Sequence, residues 1–254
     1  MTVYEQLLQT RQTKGAVYLI LLDPDEVDGQ TLPHFVTLAT EAGVDGFLVG
    51  GSLCLSLNFE QCIRTVKQYS SQPVIIFPGG NHQISSSADA ILFLSIISGR
   101  NPELLIGQQV LSAPLIRQMG LEAISTGYML IESGGTTTAE FMSNTRPIPR
   151  NKPDIAIAHA LAAEYLGMKA VYLEAGSGAQ HPVPDEMIRG IAQYTSIPMI
   201  VGGGIRTPEV ARRKVEAGAS FIVTGTILED KHNHSLIRGF ADAVHTKLPG
   251  SVEV

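Results

Sequence analysis

Short apolar runs alternate with amphipathic stretches along most of the chain. Residues 17–22 (Val-Tyr-Leu-Ile-Leu-Leu) stop at Asp23-Pro24, residues 46–49 at Gly50-Gly51-Ser52, and residues 73–77 at Pro78-Gly79-Gly80. Residues 90–94 and 127–132 supply a fourth and a fifth run. Three more end in glycine loops. Residues 171–174 lead into Ala175-Gly176-Ser177-Gly178, residues 198–201 into Gly202-Gly203-Gly204, and residues 221–224 into Gly225-Thr226. Runs this short, rich in Ile, Leu and Val and bounded by turn residues, predict parallel strands buried on both faces. Between them the spacing predicts helices over 32–42, 59–69, 155–166, 185–194 and 208–217. Gly43, Gly167 and Gly218 close several of these, as a helix stop should.

Eight strand signals with interleaved helices favour a closed (β/α)8 barrel over an open sheet. The length of 254 residues suits one such barrel, and no Ser/Pro-rich linker divides it, so residues 1–254 read as a single α/β domain. Two intervals break the rhythm. Residues 95–126, near the third and fourth β/α units, are interrupted by Ser98-Gly99-Arg100-Asn101-Pro102 and lack clean helical spacing, which predicts an irregular α/β connection. Residues 133–153, with Gly-Gly-Thr-Thr-Thr and three prolines, read as a long loop after the fifth strand, the kind that is usually functional or mobile.

Composition narrows the function classes. A net charge of −6 with sparse charged residues argues against a nucleic-acid partner. No window offers 18 uninterrupted apolar residues, and the first residues lack the basic and apolar regions of a signal peptide, so a cytosolic protein without membrane insertion is expected. Cys54 and Cys62, with no His or Cys cluster nearby, read as reduced thiols.

The strand ends on the C-terminal face of such a barrel carry its chemistry. Here they present Asp23 and Asp25, Ser52, Asn81 and His82, Glu132, and Tyr172 with Glu174. Glycine loops on three successive strands predict a phosphate cradle, because bare backbone amides approach an anion closely only without a Cβ. Glu174 lies inside that cradle. A carboxylate at the end of a buried strand must be paired, hydrogen-bonded or catalytic, and Tyr172 alternates with it onto the same side. Asp23, with Asp25 two residues on, favours an oxygen-ligated Mg²⁺ to which Ser52 could add a hydroxyl; a simple Asp-Pro turn and a Gly-Gly-Ser turn are the bland accounts. His82, His159 and His181 show no metal spacing. Arg212-Arg213-Lys214 reads as solvated helix surface.

The ordered set Leu22-Asp23-Pro24-Asp25, Val49-Gly50-Gly51-Ser52, Tyr172-Leu173-Glu174-Ala175-Gly176-Ser177-Gly178, Gly202-Gly203-Gly204-Ile205 and Val223-Thr224-Gly225-Thr226 resembles the geranylgeranylglyceryl phosphate synthase family. Phe77-Pro78-Gly79, Ser87-Ala88-Asp89-Ala90 and the stretch from Leu94-Ser95 to Pro102 resemble one branch of it closely. The resemblance implies a TIM-barrel prenyltransferase that joins sn-glycerol 1-phosphate to a prenyl diphosphate through an ether bond and releases diphosphate. Carried over, Asp23 and Ser52 hold Mg²⁺. Residues Tyr172, Leu173, Glu174, Ala175, Gly176, Ser177 and Gly178 hold the glycerol phosphate, with Gly203, Gly204, Gly225 and Thr226 around its phosphate. Glu174 is the base. The branch resemblance favours a geranylgeranyl donor, with a longer heptaprenyl donor as the alternative, and implies a homo-oligomer.

One position departs from the pattern. Some relatives carry a lysine two residues before the strand-one aspartate, where this chain has Leu21, so Mg²⁺ and other donors must meet the diphosphate charge; Arg100 and Lys152 are candidates. The irregular 95–126 segment is expected to open the apolar groove a prenyl tail needs. The rival readings are a phosphosugar isomerase or lyase on the same barrel and a non-catalytic phosphate- or lipid-binding barrel.

Overall fold

The computed structural model describes residues 1–55 and 57–246. Its elements run α1 (Val3–Lys14), β1 (Val17–Leu22), α2 (Leu32–Ala42), β2 (Gly46–Val49), α3 (Phe59–Tyr69), β3 (Val74–Ile76), β4 (Ala90–Ile96), a π-helical turn (Glu103–Gly107), α4 (Gln108–Met119) and β5 (Glu122–Leu130). They continue with α5 (Thr138–Ser143), α6 (Pro153–Tyr165), β6 (Ala170–Glu174), α7 (Asp185–Tyr194), β7 (Met199–Gly202), α8 (Pro208–Glu216), β8 (Phe221–Thr224), two 3₁₀ turns and α9 (Leu236–Val244). Every neighbouring strand pair is parallel, and β8 closes on β1 with Val17 opposite Phe221 and Ile20 opposite Thr224.

Alternation along the strands sorts side chains into two cores. Leu19, Leu48, Ile75, Leu92, Tyr128, Tyr172, Ile200 and Val223 fill the barrel interior. Ile20, Val49, Ile76, Met129, Leu173, Val201 and Ile222 pack outward under the helices. α1 covers the floor: Leu7 is buried in the inner core, and the Glu122 carboxylate at the foot of β5 accepts from the Val3 and Tyr4 amides at its N-terminus. The floor is therefore closed, and the open face is the C-terminal one.

The 95–126 interval is more regular than its sequence suggests. β4 extends to Ile96, and a π-helical turn leads directly into α4, which carries Pro114 within it. The periodicity is hidden because polarity is inverted: Gln109, Ser112 and Ile116 face inward while Val110, Leu111, Leu115 and Met119 are exposed. β5 starts at Glu122, ahead of its apolar run, because Glu-Ala-Ile-Ser-Thr alternates instead of reading as continuous apolar residues. The 133–153 loop holds α5, whose N-cap Thr137 hydroxyl accepts from the Glu140 amide at 3.2 Å. Among the described residues, no helix is long and apolar enough to cross a membrane.

Candidate active site

Glu174 ends β6 with Gly202 of β7 opposite it, and Tyr172 sits one inward position below, opposite both Ile200 of β7 and Tyr128 of β5. The carboxylate is 6% exposed. One oxygen accepts from the Gly176 amide at 2.6 Å, and the nearby Tyr172 and Tyr128 hydroxyls, as potential donors, favour its charged form. Burial outweighs these three donors and pushes the carboxyl up to about 7. A carboxylate titrating there is matched to taking a proton from a hydroxyl near neutral pH. Burial, then the Glu174 charge, holds both tyrosines well above their ordinary range, so they stay donors.

Glycine is required around this group for a steric reason. A Cβ on Gly203 (φ +82) would lie 2.7 Å from the Glu174 oxygen and 2.6 Å from the Gly176 nitrogen, and one on Gly202 would lie 2.3 Å from the Tyr172 hydroxyl. Gly176, Ser177, Gly178, Gly203, Gly204, Gly225 and Thr226 line one cavity of about 620 Å³ together with Tyr172, Glu174, Asp23 and Ser52. Ser177 Oγ and Thr226 Oγ1 hydrogen-bond across the cradle at 2.7 Å. Leu173 and Ala175 alternate away: their side chains sit in the helix-facing core, and the Ala175 amide donates to Gly202 O, so neither side chain lines the cavity.

Sequence reasoning missed Arg206, the one cationic side chain among the described residues lining this cavity. Its guanidinium donates to the carbonyls of Gly178 (3.1 Å), Ala179 (2.7 Å) and Gln180 (3.4 Å), which fixes the loop after β6. Arg100 and Lys152 do not line it; Arg100 donates to Gly99 O and Ile97 O in its own loop. Leu21 faces the cavity from the end of β1.

The rim beside Leu21 is acidic. Asp23 Oδ1 accepts from the Asp25 amide at 3.0 Å, and its other oxygen lies against Gly51, where a Cβ would meet it at 2.7 Å. Burial raises its pKa, with Asp25 and Glu26 adding to the rise; Glu229 is raised by burial and then by Glu26 and Asp23. No ion pair of the described residues involves Asp23, Glu26 or Glu229. Asp25 instead staples its loop through Leu55 N at 2.7 Å. Among the described residues no three His, Cys, Asp or Glu side chains converge as metal ligands. Mg²⁺ needs only one or two carboxylates when phosphate oxygens and water complete its shell, so an acidic rim beside a hydroxyl fits it.

A second cavity of about 200 Å³ runs from this site between β3, β4 and α4, past Phe77, Ile91, Phe93, Leu104 and Met142. The two share Gly51, Ser52, Phe77, Tyr128 and Ala139. Phe77 stacks on Tyr172 at 5.0 Å, and Tyr128 tilts against both rings. The groove therefore exists, beside an ordered helix that turns Gln109, Ser112 and Ile116 toward it. Asn81 lines it, His82 and His181 are exposed, and Glu132 caps the Arg150 amide away from the cavity. Lys214 corrects the surface reading of its helix: it is buried, donating to Val183 O at 2.7 Å and to Asp185.

The matching family model, described as the PcrB family, spans residues 8–244. The chain belongs to that family. This PcrB-family chain is 48% identical over 240 residues to a geranylgeranylglyceryl phosphate synthase of Chitinophaga pinensis, covering 94% of each. It is 46% identical over 226 residues to one of Thermococcus gammatolerans, covering 89% of each. The crystal structure of (S)-3-O-geranylgeranylglyceryl phosphate synthase from Thermoplasma acidophilum in complex with sn-glycerol-1-phosphate superposes with a TM-score of 0.91 at 36% identity, covering 96% of this chain and 99% of that one.

Proposed function

We propose that this chain is a geranylgeranylglyceryl phosphate synthase, transferring the geranylgeranyl group from its diphosphate to a hydroxyl of sn-glycerol 1-phosphate. The observation that carries this is the placement of Glu174, buried and titrating near neutrality, where a glycine-lined phosphate cradle meets an apolar groove. The relatives named above and the neighbour that binds sn-glycerol-1-phosphate support the assignment.

In this reading the glycerol phosphate occupies the loops after β6, β7 and β8, phosphate toward the amides around Gly204 and Thr226. Its hydroxyl meets Glu174, held toward it by Gly176 N–H, Tyr172 and Tyr128. The prenyl tail lies past Phe77 and Ile91, which sets the allylic carbon at the junction, over the faces of Phe77 and Tyr128. The hydroxyl oxygen forms the new C–O bond as the carbon–diphosphate bond breaks, and the proton passes to Glu174. Base catalysis of this kind contributes ~10²–10⁴-fold, and holding the reacting atoms in line supplies much of the rest. The diphosphate leaves toward Gly51, Ser52 and Asp23. Asp23 and Ser52 would hold Mg²⁺, which when bound neutralises leaving-group charge as a Lewis acid.

A homo-oligomer is part of this proposal, supported by the exposed apolar side chains of α4. So are a cytosolic location and only transient membrane contact, through the lipid product. A phosphosugar isomerase would leave the apolar groove without an occupant. The test is product extraction: labelled sn-glycerol 1-phosphate with geranylgeranyl diphosphate should give label in the organic phase. Equal labelling from sn-glycerol 3-phosphate, or none from either, counts against the proposal.

A further inference from the structure

Gln83 lies in the long connection between β3 and β4 and is 1% exposed. Its carboxamide reaches across to the loop after β2. Oε1 accepts from the Gly79 amide at 3.2 Å and the Gly51 amide at 3.4 Å, while Nε2 donates to Gly51 O at 2.9 Å. One side chain thus fixes both backbone groups of Gly51 and the start of its own loop.

The two loops it joins are packed backbone on backbone. A Cβ on Gly50 would sit 2.1 Å from Phe77 O and 2.9 Å from Gln83 Oε1, and one on Gly79 would sit 2.2 Å from Gly51 O and 2.8 Å from Ser52 Cα. Gly51 in turn lies against the Asp23 carboxylate. The connection carrying Gln83 is itself anchored on α3, where Glu60 accepts from the Ser87 hydroxyl at 2.7 Å and from the Ser85 hydroxyl. The chain of contacts runs from α3 through Gln83 to Gly51, Ser52 and Asp23. Among the described residues, the side chains of Gln83 and Glu60 make no hydrogen bond to the loops after β6, β7 and β8 that form the glycerol phosphate cradle.

We propose that Gln83 is a positioning residue for the diphosphate half of the site, holding Gly51-Ser52 against Asp23 at the junction of the two cavities. This rests on the transferase reading for what occupies that half. The amide is suited to the task because it accepts and donates at once without adding charge beside Asp23. Loss of a side chain that orients ligating residues typically weakens metal binding by about 10–100-fold.

The test measures each half separately by calorimetry: inorganic pyrophosphate with Mg²⁺, and sn-glycerol 1-phosphate alone. Gln83→Met keeps length and apolar volume but neither accepts nor donates comparably. It should weaken Mg²⁺-pyrophosphate binding about tenfold or more, raise KM for the prenyl donor in step, and leave sn-glycerol 1-phosphate affinity unchanged. Gln83→Glu provides a rescue. Protonated at about pH 5.5, its acid can accept and donate as the amide does; ionised at about pH 8 it faces Gly51 O and lies near Asp23. Its pyrophosphate affinity relative to wild type should recover on acidification, a readout available even if Gln83→Met does not fold. Equal weakening of both ligands, no weakening of either, or no recovery in Gln83→Glu would overturn the proposal. So would wild-type protein that fails to bind Mg²⁺-pyrophosphate. Wild type that binds both ligands yet makes no lipid would instead overturn the transferase reading and leave the clamp standing.

Discussion

Replacing Glu174 with glutamine should lower activity ~10²–10⁴-fold while stabilising the protein, and the size of the gain should depend on pH. Burial raises this carboxyl from an ordinary 4.5 to about 7 in the folded chain. Between those values the folded protein binds more protons than the unfolded chain, so its stability falls as pH rises through the window. The shift of about 2.5 units corresponds to roughly 3 kcal/mol once both states are ionised. At about pH 8 nearly all of that cost is present, and at about pH 5 only about 1 kcal/mol of it. Glutamine carries no such cost, and its carbonyl still accepts from Gly176 N. The variant should therefore gain about 2 kcal/mol more over wild type at about pH 8 than at about pH 5. For a chain of this size that is roughly 4–8 °C in Tm. Parallel thermal melts of both proteins at the two pH values read this directly. A Tm difference that does not change with pH would refute the claim that Glu174 titrates near neutrality.

The tyrosines and glycines around Glu174 give further expectations. Tyr128→Phe removes a donor that favours the ionised carboxylate, so the acid limb of the kcat/KM–pH profile should move above about 7; an unmoved limb would show that the Tyr128 hydroxyl does not act on Glu174. Gly203→Ala forces a Cβ against Glu174 at φ +82, and should cost about 1–3 kcal/mol of stability and weaken sn-glycerol 1-phosphate binding, as denaturant titration and calorimetry will report. Asp23→Asn, or chelation of Mg²⁺ with EDTA, should remove prenyl transfer while leaving sn-glycerol 1-phosphate binding intact; simultaneous loss of both would place Asp23 in the cradle instead.

The strands and helices that follow a single period were legible in the sequence, and the elements that were not each have a physical reason. β1, β2 and β8, and α2, α3 and α7, lie where continuous apolar runs and 3.6-residue spacing place them, because these strands are buried along almost their whole length and each of these helices turns one apolar stripe inward. α4 was obscured by turning Gln109 and Ser112 inward and its apolar residues outward, and the foot of β5 by its alternating polar residues. α1 is polar and buries Leu7 alone, against a barrel floor that exists only once the sheet has closed.

The site divides along the same line. Tyr172, Glu174 and the glycines after β6, β7 and β8 were readable because each sits at a strand end and its role follows from the backbone. Tyr128 and Phe77 join Tyr172 only through the register of separate strands, and Gln83 and Arg206 act on backbone groups of other loops. No local pattern carries that information. Arg100 and Lys152 carry the charge a diphosphate calls for, but charge does not say which way a loop faces, and neither lines the cavity.

In the proposed reaction one buried glutamate, set between a phosphate cradle and an apolar groove, takes the proton as the ether bond forms. The most direct test is diphosphate release by wild-type and Glu174→Gln protein with Mg²⁺, geranylgeranyl diphosphate and each enantiomer of glycerol phosphate, followed as a function of pH. Release should require the 1-phosphate enantiomer, rise with pH to a plateau above about 7, and fall ~10²–10⁴-fold in the variant. Release that proceeds equally in Glu174→Gln, or without glycerol phosphate, would contradict this reaction.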